Sequence, residues 1–224
     1  MAYEKPPRCA IVTVVGLLFL LAIDCRAQEQ RQDHTCTVGV AGAFALPKGE
    51  DGGNFNSGWG LQAGGGFAVL RTAERRGSSV YITGNFMYEK FGATAAALEV
   101  AKNLNPTQLA NATSAHGAFT TVTLDPTVRY ALNRRFSVYG SGGFGWLRRA
   151  VGFNGANPAT LLQSSGVTLD RLHSNSGVFD LGGGANFGLR KNGGLMVFTE
   201  IRVYRGLAIN NGSTLLPLSL GIRW

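Results

Sequence analysis

TLLPLSLGIRW, residues 214–224, is the stretch of sequence that indicates the fold most directly. Successive side chains of an extended strand point to opposite faces, so residues two apart share a face. One face of this stretch holds apolar side chains: Leu216, Leu218, Leu220, Ile222 and Trp224. The other face holds Pro217, Ser219, Gly221 and Arg223. This alternation predicts a β-strand with one apolar and one polar face.

The same alternation recurs along the chain before this stretch. It is visible in 38–46, 59–70, 80–89, 121–130, 136–146, 179–190 and 195–204. Together with the last stretch, these segments predict eight strands. The weakest assignment is the strand over 121–130, because Pro126 lacks the N–H that an interior strand donates to its neighbour.

The lengths of the connections add independent information. Short turns follow the second, fourth and sixth strands, at 72–77, 133–134 and 191–193. Long loops follow the first, third and fifth strands, at 47–58, 92–117 and 152–174, and a modest one lies at 206–213. The alanine-rich part of the second long loop, 94–111, is expected to hold a helical turn or two. Alternating short and long connections are typical of an up-and-down transmembrane barrel with both termini in the periplasm.

Composition narrows the class of protein. Charged residues make up 15% of the chain, against about 25% in an average soluble domain. The 224 residues suffice for one domain. The net charge is +8, but the basic residues lie mainly in turns and at strand ends rather than in one stripe. This distribution argues against nucleic-acid binding.

The first residues resemble an export signal. Lys5 and Arg8 precede an uninterrupted apolar run over 9–23, and Ala27 ends a segment suited to cleavage. We therefore expect a signal peptide at 1–27, a periplasmic segment at 28–36 and a barrel at 37–224. A retained anchor helix is less favoured, because the apolar run is shorter than the roughly 20 residues that span a bilayer. A lipid-modified Cys25 is also less favoured, because Asp24 precedes it.

Alternation alone does not say which face of the sheet meets water, since soluble barrels and β-sandwiches show the same period. Three features favour hydrocarbon outside. The polar face is rich in glycine, serine and charged residues, which suits a narrow lumen. The chain ends on an aromatic residue. Aromatic residues also lie near the ends of the apolar faces, as interfacial girdles require: Trp59, Tyr88, Tyr130, Phe136, Trp146 and Trp224.

Three further patterns carry a family resemblance: FSVYGSGGFGW at 136–146, LGGGANFGLRKNGG at 181–194 and LMVFTEIRVY at 195–204. With the final strand, they resemble the outer-membrane β-barrel family that includes opacity proteins, OmpX and the OmpA transmembrane domain. The resemblance implies an eight-stranded antiparallel transmembrane barrel in the bacterial outer membrane. It also implies that Trp224 is a signal for the barrel-assembly machinery. The signal peptide implies passage through the secretion translocon, and we expect a monomer.

Two groups of charged residues are candidate sites. The first is expected to form a charge network inside the lumen, where buried charges need partners: Glu89, Asp125, Arg129, Asp180, Glu200, Arg202 and Arg223. The second lies at the predicted outward ends of strands, where cations would meet phosphates of lipopolysaccharide: Lys90, Arg148, Arg149 and Arg205. Ordinary solvated charge at the rim explains the second group equally well.

The sequence gives little support for an enzymatic function. The segment 140–145 fits GxGxxG, but it lies within a strand pattern without a following helix, so we interpret it as glycines that ease packing. The mature chain has His34, His116 and His173, none on a predicted strand beside a serine. A metal site of His116 and His173 lacks a third ligand at suitable spacing. We expect no cofactor and a non-enzymatic envelope protein whose long loops serve adhesion or recognition. A small pore is the alternative and an enzyme a distant one.

Overall fold

The computed structural model describes residues 36–71, 77–155, 171–189, 194–207 and 213–224. These residues form eight strands and three short helices, whose bounds follow in chain order. The strands are β1 (Cys36–Lys48), β2 (Gly58–Arg71), β3 (Ser78–Gly92), β4 (Ser114–Ala131), β5 (Phe136–Asn154), β6 (Arg171–Gly188), β7 (Met196–Gly206) and β8 (Thr214–Arg223). The helices are α1 (Glu50–Asn54), α2 (Ala95–Leu104) and α3 (Pro106–Leu109).

The strands form one closed barrel in which each pairs antiparallel with the next. Closure comes from pairing between β1 and β8. Val38 and Trp224 complete this seam by exchanging backbone hydrogen bonds of 2.8 and 2.9 Å. The predicted fold class, an eight-stranded antiparallel up-and-down barrel, is therefore confirmed. We call the end where β1 begins and β8 ends the terminal end, and the opposite end the loop end.

The predicted strand phases hold around the barrel. Outward apolar side chains are largely exposed, for example Phe144 at 73%, Leu181 at 65% and Leu220 at 65%. Polar side chains on the opposite face of the same strands are buried: Ser141, Asp180 and Ser219. An inside-out pattern of this kind would be unstable against water on the outer surface, and it suits a hydrocarbon environment.

Strands β4, β5 and β6 are longer than the sequence predicts. They contain 18, 19 and 18 residues and extend into the regions 92–117 and 152–174, for which the sequence predicts loops. The predicted ends of these three strands are wrong because the residues that lengthen the strands are rich in serine, asparagine, glycine and alanine. Alternation of hydrophobicity marks only the part of a strand whose outer face is apolar, so polar extensions of the wall leave no such signal.

Two prolines lie within strands, and the ladder accommodates both. Pro126 pairs with Ile82 on β3, whereas the pairing of β4 with β5 is interrupted between Leu124 and Thr127. Pro217 likewise pairs with Ala45 on β1 but lies in a gap of the β7–β8 ladder. The register is the same on both sides of each gap. Each proline therefore removes only local hydrogen bonds and leaves the strand in place.

The helices lie at the loop end. α1 occupies the connection between β1 and β2, and α2 and α3 occupy the connection between β3 and β4. Thr94 caps α2, since its hydroxyl accepts a hydrogen bond from the Ala97 N–H at 3.2 Å. The helical content expected at 94–111, a turn or two, is too small, because α2 alone has 10 residues.

Several predictions fall wholly or largely outside the described residues: the signal peptide at 1–27, the segment at 28–36, the turns at 72–77 and 191–193, and the loop at 206–213. Most of the loop at 152–174 does as well. Among the described residues, no helix is both long and apolar enough to cross a membrane.

Candidate functional site

The middle of the lumen holds a cluster of buried charges centred on Arg202 of β7. Its Nη1 donates to Oδ2 of Asp125 on β4 at 2.5 Å and also to Oδ2 of Asp180 on β6. Its Nε donates to Oε1 of Glu200 at 3.0 Å. All four side chains are at most 3% exposed. Because they come from three strands, this central cluster ties opposite walls of the barrel together.

Neutral polar groups complete the hydrogen bonding of Glu200. Its oxygens accept from Gln62 Nε2 and from the Tyr139 hydroxyl, both at 2.8 Å. Tyr139 reaches inward across Gly184, where an added side-chain carbon would lie 2.6 Å from the tyrosine oxygen. Glycine at position 184 is therefore required for this contact, a role that an alternation pattern does not reveal.

Asp125 has a comparable set of neutral partners. Its Oδ2 accepts from Asn85 Nδ2 at 2.5 Å and from the Thr123 hydroxyl at 3.3 Å. Ser141 adds a further contact to the cluster, because its oxygen accepts from Arg202 Nη2 at 3.0 Å. One guanidinium thus faces three carboxylates, and serine, threonine, asparagine, glutamine and tyrosine supply further hydrogen-bonding partners.

Two of the arginines assigned to the lumen lie nearer the terminal end, apart from the central cluster. Arg129 donates to the Ser137 hydroxyl at 2.8 Å, and Arg223 donates to Asn186 Oδ1 at 3.1 Å. Within the described part of the chain, neither guanidinium lies within ion-pair distance of a carboxylate. The central cluster and this pair of arginines are therefore two groups with no ion pair between them in the described part of the chain.

Glu89 lies toward the loop end, away from both groups. It is 1% exposed, and its Oε1 has no hydrogen-bond partner among the described residues. Inward-facing Met87 and Phe91 flank it along β3, and Phe119 is its register partner on β4. Its surroundings are apolar, so the structure places it in the lumen without a charged neighbour.

An aromatic cluster fills the lumen at the loop end. Phe91 and Phe119 pack edge to face with ring centroids 5.2 Å apart, and Phe55 packs on both at 6.3 and 6.0 Å. Met87 of β3 and side chains of five other strands add to this aromatic plug: Ala45, Leu147, Val178, Tyr204 and Leu215. Sequence analysis misses the plug because Phe91 and Phe119 lie in or beside the predicted loop at 92–117.

The helix α1 folds over the aromatic plug. Asp51 of α1 is 3% exposed and pairs with Arg149 Nη1 of β5 at 3.0 Å. The guanidinium carbon of Arg149 lies 5.7 Å from the centre of the Phe55 ring. Phe55 itself forms a β-bridge with Ala93. Ion pair, cation–π contact and bridge together hold the β1–β2 connection inside the mouth.

The Phe55 ring rests against the backbone of β4 at Gly117. A side-chain carbon added at Gly117 would lie 2.7 Å from that ring. Glycine at this position thus lets a large ring approach the wall closely. The mouth is filled by packing as well as by charge.

The outward cations lie where the sequence predicts, with one exception. Lys90, Arg148 and Arg205 are exposed near the loop ends of β3, β5 and β7. Arg149 does not join them, because it is adjacent to Arg148 on a strand and so faces the lumen, where it pairs with Asp51. Lys48, at the end of β1, is exposed in a comparable position, which the sequence pattern does not single out.

The outer face near these cations carries large rings. Trp59 is 62% exposed and Trp146 is 41% exposed, both toward the loop end. Tyr130 and Phe187 are exposed toward the terminal end. Rings at both ends of an apolar band are typical of the two interfaces of a membrane.

The described residues offer no arrangement for the common catalytic chemistries. His116 lies on β4 with its lumen-facing neighbours Ala115 and Gly117 on either side, so it belongs to the outer face. His34 and the side chain of His173 lie outside what the structure describes. No group of three or more His, Cys, Asp or Glu among the described residues is placed to hold a metal ion. The segment 140–145 lies within β5, away from any helix.

Comparison with known proteins identifies the fold of this chain. No family model matches the chain, and no curated protein sequence matches it. Among solved structures, the Neisserial surface protein A is similar with a TM-score of 0.54 and 12% identity, over 84% of this chain and 96% of that one. The fold is that of the eight-stranded outer-membrane β-barrels.

A second barrel of this kind supports the same fold. Ail, the attachment invasion locus protein of Yersinia pestis, has a TM-score of 0.50 and 12% identity over 84% of this chain and 97% of that one. The outer membrane protein OprG from Pseudomonas aeruginosa has a TM-score of 0.47 and 12% identity over 86% and 97%. Identities this low describe architecture and leave activity to be argued from the barrel's own residues.

Proposed function

We propose that this protein is a non-enzymatic barrel of the bacterial outer membrane that acts through its outer surfaces. The terminal end faces the periplasm and the loop end faces outward. One observation carries the proposal: the aromatic plug and α1 fill the lumen at the loop end. Because side chains already fill the interior of an eight-stranded barrel, a packed mouth leaves little room for transport.

The surface available for recognition lies at the loop end. The extended walls of β4, β5 and β6 rise there beside α2 and α3. On α2, Val100 is 58% exposed and Leu104 is 75% exposed, one helical turn apart. Exposed apolar side chains on a rigid element are favourable contact points for a protein partner. The name of Ail describes attachment and invasion for that protein, which supports adhesion as the kind of role to test here.

Single-channel recording tests the closed lumen. We expect the refolded barrel to give no discrete conductance steps in planar bilayers, with correct folding checked by heat-modifiable migration on gels. Steady ohmic channels from the folded species would favour the alternative of a small pore.

The recognition role has its own test, in which residues 94–111 are replaced by a short glycine-serine turn. The truncated barrel should keep its heat-modifiable migration and lose attachment of displaying cells to host cells.

The outward cations support a contact with lipopolysaccharide as partner. Lys48, Lys90, Arg148 and Arg205 lie near the loop ends of alternate strands. Lys90 is the register partner of exposed Trp59, and Arg148 lies two residues after exposed Trp146. Cations at this level attract the phosphates of an anionic leaflet by roughly 1 kcal/mol for each Lys or Arg near the surface.

Thermal unfolding with and without lipopolysaccharide tests this partner. The variant K90Q/R148Q/R205Q should lose most of the stabilisation that lipopolysaccharide gives the wild type. Lys102→Gln, which removes a cation from α2, is the matched control and should keep it. Equal stabilisation of all three proteins would count against the contact.

Biogenesis partners follow from the signal peptide and from Trp224. We propose passage through the secretion translocon, then insertion as a monomer by the barrel-assembly machinery. Trp224→Ala keeps the backbone hydrogen bonds to Val38. It should therefore refold normally from denaturant into detergent while inserting poorly in cells. Equal loss in both assays would assign Trp224 a structural role alone.

A further inference from the structure

Arg129 and Arg223 are joined by polar side chains across the terminal end of the lumen. Arg129 Nε donates to Ser137 Oγ at 2.8 Å, and Asn186 Nδ2 lies 3.2 Å from the same oxygen. Arg223 Nη1 donates to Asn186 Oδ1 at 3.1 Å. Met196 links them a second time. It is the register partner of Arg223, and its sulfur lies 3.4 Å from Arg129 Nη2. Arg129 of β4, Ser137, Asn186 and Arg223 of β8 therefore form one chain of polar contacts, which we call the arc.

The acidic side chains of the described lumen do not neutralise this arc. Asp125, Asp180 and Glu200 all bind Arg202 in the central cluster. Glu89 lies further toward the loop end. An unpaired guanidinium that is partly removed from water carries a desolvation cost, which an anion would offset.

Stacking on two rings holds the guanidinium of Arg223 at the terminal end of the lumen. Its guanidinium carbon lies 4.4 Å from the centre of the Phe198 ring and 4.9 Å from that of Tyr139. Contacts with these rings hold the group in place, and the Tyr139 hydroxyl is a hydrogen-bonding neighbour of the same guanidinium. Its contact to Asn186 uses only Nη1. The neighbours of Arg223 are therefore rings and uncharged polar groups, which leave its positive charge without a carboxylate among the described residues.

An open cavity adjoins the arc. Arg223 and Phe198 form part of its wall. Thr37, Gln62, Thr83 and Asn85 supply further polar walls. Both arginines are only half-buried, so a small solute has access to them. A cavity with polar groups in its wall, beside two cations that have no acidic partner in the described part of the chain, is suited to anion binding.

We propose that Arg129 and Arg223, with Ser137 and Asn186 between them, form a binding site for an oxyanion of the phosphate class at the terminal end of the lumen. The site is separate from the recognition surface at the loop end. Two sources share this chemistry: free inorganic phosphate, and the phosphate of an anionic phospholipid headgroup at the terminal rim. Guanidinium pairs bind either in the same way.

Titration with inorganic phosphate tests the site. The probe is the full barrel refolded in an uncharged maltoside detergent at constant ionic strength, followed by the side-chain Nε–H resonances of its arginines. The resonances of Arg129 and Arg223 should shift saturably, while that of outward Arg148 stays in place. Absence of a saturable shift at Arg129 and Arg223 would overturn the proposal.

Variants give a second measurement by calorimetry. R129Q/R223Q should weaken phosphate binding at least tenfold, whereas Arg135→Gln, which removes an exposed cation from the nearby β4–β5 turn, should leave it within twofold. If the double variant does not fold, Arg223→Lys keeps the charge, loses the bidentate edge and should still weaken binding severalfold. Unchanged binding in a folded variant would show that the arginines only balance the charge of the central cluster.

The source of the anion is distinguished in nanodiscs without added phosphate. If a headgroup is bound, the Arg223 resonance should move when phosphatidylglycerol replaces part of a phosphatidylcholine bilayer. If free phosphate is the ligand, the resonance should respond to added phosphate alone. A resonance that responds to neither would contradict the site.

Discussion

The two ends of the lumen are built from opposite chemistry. At the loop end, Phe55, Phe91 and Phe119 pack against one another under α1. At the terminal end, Arg129 and Arg223 have no acidic partner among the described residues, and Arg223 lines an open cavity. One end is therefore closed by apolar packing and the other is polar and open. The difference shows that a single sheet of constant pattern can enclose two separate environments.

The central cluster divides these environments. Arg202 spans from β7 to carboxylates on β4 and β6, so both ends depend on it for the spacing of opposite walls. The substitutions below run from the centre of the lumen outward. They test whether a change at one end of the lumen alters the other end.

Replacing Arg202 with methionine should have the largest effect. It leaves three buried carboxylates with no cation, a change that costs about 3 to 5 kcal/mol of unfolding free energy in comparable sites. Urea unfolding of the refolded barrel in detergent measures the loss. Arg148→Met removes an outward cation from the same kind of strand and should cost much less. Equal losses would mean that the central cluster does not stabilise the barrel.

Truncating a side chain of the aromatic plug should cause the second-largest loss of unfolding free energy. Phe119 is fully buried, so Phe119→Ala should cost about 3 kcal/mol or more through lost contacts and the cavity left behind. The loss should appear in equilibrium unfolding, while the phosphate response of Arg223 stays unchanged. A changed response at the terminal end would show that the two ends are coupled.

The ion pair that holds α1 should contribute less to the free energy of unfolding. Asp51→Asn leaves Arg149 without its charged partner and should cost about 1 to 3 kcal/mol. A double-mutant cycle with Arg149→Gln isolates the pair from other effects of each substitution. A coupling energy near zero would indicate that Phe55 alone keeps α1 in the mouth.

The smallest effect belongs to the cap of α2. Thr94→Ala removes the hydroxyl that accepts from Ala97, worth about 1 kcal/mol to the helix. Amide exchange in α2 should accelerate, with little change in barrel unfolding, because the helix lies outside the wall. Thr94→Ser keeps an acceptor and should exchange like the wild type. Faster exchange throughout the barrel would contradict this local role.

The sequence by itself determined the number of strands, their order and, within the alternating segments, which side chains face the lumen. It could do so because each strand repeats a period of two, and hydrocarbon outside and a polar interior select opposite residue types at alternate positions. Residues such as Leu220 and Ser219 therefore indicate their faces locally. The polar extensions of β4, β5 and β6 carry no such contrast, and their length was not predictable.

Only the tertiary structure decided which inward residues meet. Arg202 binds Asp125 and Asp180 rather than Glu89, and Arg149 binds Asp51, because strand register and closure of the barrel set which positions share a level across the lumen. That information lies in pairings between residues far apart in the chain. A pattern of alternation assigns each side chain to a face and says nothing of its neighbour across the barrel.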